Sequence, residues 1–375
     1  MSERWVDLEP VDVLFFRDAR PFGAGSENYA EGIFPPLPSV TAGALRTAAM
    51  ASYGADFSAR RLEGPAAEVW GRPGEAAFRV SFKGPFLRRG NDLLFPAPAD
   101  LEFSQERVWR WAPLGRDRLP FSSSLAREGL RSLWKIEAGR GTGEKLEGPV
   151  YLTARDMEAW LSGGIPGEPV CAEALWGTER RFGIALGGTR TVREGMLYSL
   201  RMVRLNEEKR VRLAVAVEGE GVAPLRDKGI LRLGGEGRMA RWEKSTAGRW
   251  PAGFMREGRF AWTFVTPAIF MEGQTAGWKP SRICKRENGW VLDDGDVRAR
   301  LVGVRLPTMV PVSGWDIAAR SAKPLRLAVP AGAVYYFELE RGDPVQKYHA
   351  RSVSDVGAQE GFGIVLVGGW DYVQA

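Results

Sequence analysis

The run from Val11 to Phe16 constrains this chain more than any other stretch. Val11, Val13 and Phe15 alternate with Leu14 and Phe16, so both faces are apolar near its middle. An edge strand would show a polar face, so this pattern predicts a central strand covered on two sides. Pro10 can begin it, because no ladder bond is owed there. Arg17, Arg20, Phe22 and Gly23 follow where the strand hands over to a loop, and Gly23 and Gly25 permit backbone amides to approach an anion. Beyond the loop, Ser39 is an expected N-cap for a helix from about Val40 to Tyr53, which Gly54 closes. Gly43, Ala44, Ala48 and Ala51 would let that helix lie close on a sheet.

Residue counts remove many chemistries. The chain has 375 residues and a single histidine, His349. One imidazole rules out a His-rich metal site, an HExxH centre and a paired-histidine ribonuclease site; His349 is expected at the surface or at a helix end. No GxxxxGK[ST], GxGxxG after a strand, GxSxG or CxxC occurs. Cys171 and Cys284 are too far apart in sequence to suggest a disulfide framework or zinc spacing, so buried free thiols in a reducing compartment are expected. Fifty-two Lys and Arg against 46 Asp and Glu give a net charge of +6, compatible with a polyanionic partner without requiring one. The opening MSERWVDLEP is charged, and nowhere do eighteen apolar residues run together. A cytoplasmic chain without a membrane span is the expectation. The length favours two domains.

Further along, Phe78–Phe82 and Leu93–Phe95 read as a hairpin turned over GPFLRRGND. Residues 102–147 interleave arginines with Trp109, Trp111, Phe121 and Trp134, which suggests a basic insertion, partly loop. Its rings either stack bases or cover the core beneath snorkelling cations. A helix is predicted from Ala154 to Leu161, with Thr153 and Asp156 in a capping-box-like spacing. Leu197–Leu205 and Val211–Val217 read as a hairpin over NEEK. Phe260–Phe264, Val297–Val304 and Val334–Leu339 read as strands, Val345–Gln359 as largely helical, and GFGIVLVGGW as a glycine turn feeding a buried strand. Strand, helix, hairpin, helix, strand, counted twice, is a duplicated ferredoxin-like pattern.

Several segments invite an anion, each with a plainer alternative. Arg17 and Arg20 suit bidentate phosphate bonds and Phe22 suits base stacking, or Arg17 pairs with Asp18 to fix the loop. Arg46 lies on the helix face, where a lone arginine is usually solvated. GTERRFGIALGGTRTVREG sets Arg180, Arg181, Arg190 and Arg193 around Gly187 and Gly188, forming either a loop that follows a phosphate backbone or a solubilising one. RLGGEGR repeats the theme and ends at Arg238. Gly361 and Gly363 allow close backbone approach on either side of Phe362, or form a structural bend. The aspartates of DDGD suit a hairpin turn better than a metal pair.

These pieces together resemble the RAMP superfamily of CRISPR-associated proteins, and within it the subunit that binds the crRNA 5′ handle in the type III-B Cmr effector complex. The resemblance is carried by RDARPFGAG at 17–25, PPLPSVTAGALRTA at 35–48, RFGIALGGTRTVREGMLY at 181–198, LRLGGEGR at 231–238, GWD at 314–316, PAGAVYYFEL at 330–339 and GFGIVLVGGW at 361–370. It implies an α+β fold of two ferredoxin-like (RRM-like) domains with insertions, divided at about 189/190, and a glycine-rich loop near the C-terminus on the RNA-binding surface. The first domain, 1–189, would carry the basic insertion near 102–147. It also implies a non-catalytic role in an RNA-guided antiviral complex, without metal or cofactor. The partners would be the 5′ tag of crRNA, a large polymerase-like subunit and a neighbouring backbone RAMP subunit. The candidate RNA contacts are Arg17, Arg20, Phe22, Gly23, Arg46, Arg181, Arg190, Arg193, Arg238, Gly361, Phe362 and Gly363. Three other readings stay open: a metal-independent endoribonuclease with a lysine or tyrosine base, the equivalent subunit of a type III-A Csm complex, and a subunit that binds only proteins.

Overall fold

The computed structural model describes residues 3–17, 29–30, 32–56, 80–104, 108–115, 129–138, 146, 148–186, 192–219, 225–246, 248–272, 275–287, 289–316 and 321–373. Two large antiparallel sheets dominate these residues, and helix is sparse. The first sheet has the strand order Lys228–Arg232, Met239–Lys244, Glu3–Pro10, Val211–Gly219, Val80–Arg89, Asp92–Pro96, Val150–Thr153, Val170–Cys171. The second has the order Ile283–Arg286, Gly289–Asp293, Arg298–Arg305, Val334–Arg341, Arg259–Phe264, Ile364–Gly368, Arg351–Ser352.

Alternation explains the layering. In Val211–Gly219, Leu213, Val215 and Val217 point to one face and join Val6, Leu8 and the helix α1 (Pro38–Ser52) in one core. Ala214 and Ala216 point to the other face, where Trp5, Phe86 and Phe95 meet Val334, Tyr336 and Leu366 of the second sheet. Small residues at the centre of that layer leave room for the large rings around them. The helix α2 (Ala154–Leu161) buries Met157, Trp160 and Leu161 in the same layer. The far face of the second sheet buries Phe260, Trp262, Phe264, Tyr335 and Phe337.

Two buried carboxylates hold this arrangement, Asp7 within the first sheet and Asp100 between the layers. Asp7 pairs with Arg88 at 3.0 Å and Arg212 at 3.2 Å. Asp100 accepts from Trp160 Nε1 at 3.1 Å and from the Tyr336 hydroxyl at 2.9 Å. Burial pushes the Asp100 carboxyl above its usual range, against the pull of Arg110.

The α+β reading holds, with sheet far outweighing helix among the described residues, while several finer expectations change. Val211–Gly219 lies between Glu3–Pro10 and Val80–Arg89 and antiparallel to both, so a split βαβ unit is present. However, α1 and α2 lie on opposite faces of the sheet, whereas a ferredoxin-like unit carries both helices on one face. Strands as late as Met239–Lys244 complete the first sheet and the second begins at Arg259, so division at 189/190 would cut the first sheet apart.

Val11–Phe16 is buried from Val13 onward, as its two apolar faces demand, but it forms no ladder. Leu14 makes an isolated bridge to Val203, and the regular strand is Glu3–Pro10 just before it. The helix starts with Pro38 at its first position after a Leu37 cap, with no side-chain cap from Ser39. The predicted α2 appears with its Thr153 cap accepting from Asp156 N. Leu197–Leu205 and Val211–Val217 are strands but not partners: the former belongs to Val192–Leu205, which pairs with Trp176–Leu186. Between Val345 and Gln359 only Pro344–Tyr348 is α-helical, followed by Arg351–Ser352 and a 3-10 turn at Ala358–Glu360. Ile364–Gly368 is the fully buried strand expected of GIVLVGG, and Asp293–Asp296 makes the turn.

Candidate nucleic-acid interface

A long hairpin, Trp176–Leu186 with Val192–Leu205, leans on the segment 11–17. Its cross-strand pairs alternate between faces. Glu179 and Met202, Arg181 and Leu200, and Gly177 and Arg204 lie on the inward face, where Leu200 and Met202 pack with Val13 and Phe15. Arg180 and Arg201, and Phe182 and Ser199, lie on the outward face. At the hairpin base that face is buried through Val203 and Leu205, but farther out Arg180 and Arg201 are exposed and Phe182 is 68% exposed. A large ring left in water beside a cross-strand pair of arginines suits a base stacked next to a phosphate backbone.

Arg17 approaches the same strand. Tyr29–Ala30 runs parallel to Ser199–Leu200, and Arg17 bridges Gly32. A β-carbon on Gly32 would lie 3.2 Å from Phe16 O and 3.3 Å from Arg201 O, so glycine allows the chain to pass between these two neighbours. Arg17 is exposed at this edge.

The inward face carries its own counter-charge. Arg204 Nη2 lies 2.9 Å from Asp12 Oδ1 and its Nε donates to Glu179 Oε1; Arg181 Nη2 lies 3.2 Å from Asp12 Oδ2 and 3.3 Å from Glu179 Oε2. Arg238 Nη1 reaches Asp12 Oδ2 at 3.4 Å. The hydrogen bond from Arg204 is the largest influence holding both carboxyls below their usual range, and Glu179 in turn raises the Arg204 guanidinium. The loop carrying Arg238 is seated by Gly235 N donating to Phe15 O at 2.8 Å. Its glycines therefore serve a close backbone contact.

The candidate residues thus separate. Arg181 and Arg238 come together at Asp12, whereas Arg17 bridges Gly32 at the edge beside Ser199–Leu200. Arg193 lies on the hairpin strand Val192–Leu205, while Arg20, Phe22, Gly23 and Arg190 lie outside the described residues. Arg46 stands on α1, which packs against the turn Ala358–Glu360. Burial raises the Glu360 carboxyl, with Lys323 and Arg46 opposing it.

The GFG segment is a joint between the sheets. Phe362 is 2% exposed among Ile269, Val312 and Ala328, so it offers no face to a base. Gly361 N donates to Ala358 O, Gly363 N donates to Pro267 O, and Gly361 O accepts from Thr266 Oγ1. These amides are already engaged within the fold.

Phe182 and Arg201 are candidates that residue types alone did not single out. Phe182 lies two residues past Arg180, and the pairing register was needed to show that this spacing makes one outward face with Arg201. Of the insertion's rings, Phe121 lies outside the described residues and Trp134 is 49% exposed, while Trp109 and Trp111 lie under cations. Leu101–Phe103, Val108–Pro113 and Leu133–Ala138 form a three-stranded sheet. Lys135 sits 4.5 Å from the Trp109 ring centroid, and Arg305 sits 4.8 Å from that of Trp111.

His349 closes the short helix Pro344–Tyr348 and is half-buried. Its Nδ1 accepts from Val367 N at 3.1 Å, so Nε2 carries the proton toward Pro251 O at 2.7 Å. Burial lowers its basicity. Among the described residues no group of three His, Cys, Asp or Glu is placed to hold a metal ion. No helix among them is long and apolar enough to cross a membrane.

A family model described as CRISPR-associated protein (Cas_Cmr3) matches residues 6–370. No curated protein matches the chain. Among solved structures, a chain of the type III-B Cmr-beta complex bound to cognate target RNA is similar at 15% identity and a TM-score of 0.49, covering 89% of this chain and 86% of that one. The same complex with AMPPnP also bound gives 16% identity and a TM-score of 0.48 over the same shares. A chain of the Csm3-Csm4 subcomplex of the type III-A CRISPR-Cas interference complex gives 11% identity and 0.39, covering 97% of this chain and 98% of that one.

Proposed function

Since the chain belongs to the Cas_Cmr3 family of CRISPR-associated proteins and is a type III CRISPR effector subunit, we propose that it is a non-catalytic subunit that holds the 5′ repeat-derived tag of crRNA. In this reading it also docks a large polymerase-like subunit and a neighbouring backbone subunit of the complex. The observation that carries the RNA contact is the outward face of the hairpin, where exposed Phe182 stands with Arg180 and Arg201 and Arg17 lies beside the same strand. An unstacked base lies on the ring while the guanidiniums beside it hold the neighbouring phosphates. The lack of chemistry is supported by His349, whose two nitrogens are both committed to backbone groups.

Three guanidiniums on three phosphates set an expected salt dependence. The logarithm of affinity for a single-stranded tag RNA should fall against the logarithm of salt with a slope of about −2, from roughly −0.7 per neutralised phosphate. Fluorescence anisotropy across a salt series measures it directly. A slope near zero would remove the phosphate contacts, and site-specific cleavage of repeat RNA in EDTA would replace a holding role with an endoribonuclease.

A further inference from the structure

Arg180 and Arg181 are adjacent in sequence yet face opposite sides of one hairpin, and the inward side carries a closed set of counter-charges. Asp12, Arg181, Glu179 and Arg204 form a ring of alternating charge, each carboxylate meeting both guanidiniums. Arg238 joins at Asp12. The side chains of the ring remain 37–41% exposed, so a phosphate chain can reach them. Asp12 alone touches arginines from three separate strands or loops, because it lies just past the first-sheet strand Glu3–Pro10, between the hairpin and the loop bearing Arg238.

We propose that Asp12 and Glu179 are built-in counter-ions that reserve the inward face from nucleic acid and confine single-stranded RNA to the outward face. This rests on the RNA-holding reading above. With Arg238 at Asp12 and Glu207 3.9 Å from Arg204, three guanidiniums meet three carboxylates and present no net charge, so their field falls off faster than that of isolated cations. A phosphate would have to displace a carboxylate that already holds charge-assisted hydrogen bonds. Without the carboxylates, Arg181, Arg204 and Arg238 would form a strong phosphate site with no base preference. The two acids thereby set specificity by keeping a second, undiscriminating track closed.

The test uses Asp12→Asn, Glu179→Gln and the double variant of the full chain, with three probes: tag RNA, oligouridine and inorganic polyphosphate. The double variant is expected to bind oligouridine roughly tenfold more tightly at 0.1 M salt, with its slope steeper by about 0.7 for each phosphate newly engaged. Its preference for tag RNA over oligouridine should shrink. Polyphosphate has no bases, so a steeper slope with that probe upholds the counter-ion role even if wild-type chain fails to hold the tag. Weaker binding with an unchanged slope would assign the carboxylates to positioning the hairpin and overturn the proposal. Unchanged affinity and slope would overturn it equally, by placing the ring beyond the reach of the ligand. Thermal unfolding of each variant checks that the fold is retained, and either single variant serves if the double one does not fold.

Discussion

Replacing Gly361 by valine is expected to destabilise the folded chain by about 2–5 kcal/mol while leaving the salt slope of RNA binding unchanged. Gly361 has a φ of 100°, which a β-branched residue adopts only with strain. A β-carbon there would lie 2.9 Å from Gly84 O and 3.1 Å from Phe82 O, both backbone atoms of the first-sheet strand Val80–Arg89. That strand cannot move freely, because Gly84 itself has a φ of 114° and sits where its register with Val211–Gly219 shifts. The substitution therefore separates the last buried strand, Ile364–Gly368, from the sheet it braces. Denaturant unfolding measures the loss, and the RNA titration is repeated where the variant remains folded. Wild-type stability with a shallower salt slope would return the glycine loop to the RNA surface.

Reversing both Arg180 and Arg201 to glutamate should weaken tag-RNA binding about 100-fold. Each loses a charge-assisted hydrogen bond worth about 1.5 kcal/mol, and together these make roughly two powers of ten. The salt slope should become shallower, from about −2 to about −0.7, because only one of three phosphate contacts is left. Phe182→Ala separates stacking from charge: affinity falls by about 1–3 kcal/mol with the slope retained. Fold effects should be small, since Arg180, Phe182 and Arg201 are all exposed. Wild-type affinity in the double variant would move the RNA away from this face.

Local patterns carried much of the fold. The alternation in Val211–Val217, the Thr153 cap and the breakers around GIVLVGG each act within a few residues, and each element forms where those signals lie. Partner choice was not legible, because it is decided by which faces find apolar cover. Leu197–Leu205 and Val211–Val217 look like a hairpin, but the former strand pairs with Trp176–Leu186 because Leu200 and Met202 bury against Val13 and Phe15. Those contacts also explain Val11–Phe16. Its two apolar faces signalled burial correctly, but packing between two clusters satisfies it without a ladder. The arginine-rich segments were visible at the candidate site, whereas the pairing of Arg181 and Arg204 depended on Asp12, more than 160 residues from them in sequence. The glycines of GFG marked close backbone approach, and the approaching backbone is the protein's own.

Where the tag lies decides between the hairpin and the other basic surfaces. A tag RNA carrying 4-thiouridine, bound to the intact chain and irradiated, should crosslink to the tryptic peptide 182–190, which begins at Phe182. The crosslink should disappear in Arg180→Glu/Arg201→Glu chain mixed at the same RNA concentration. Crosslinks confined to the peptides bearing Arg46 or Phe362, with none on the hairpin, would contradict it.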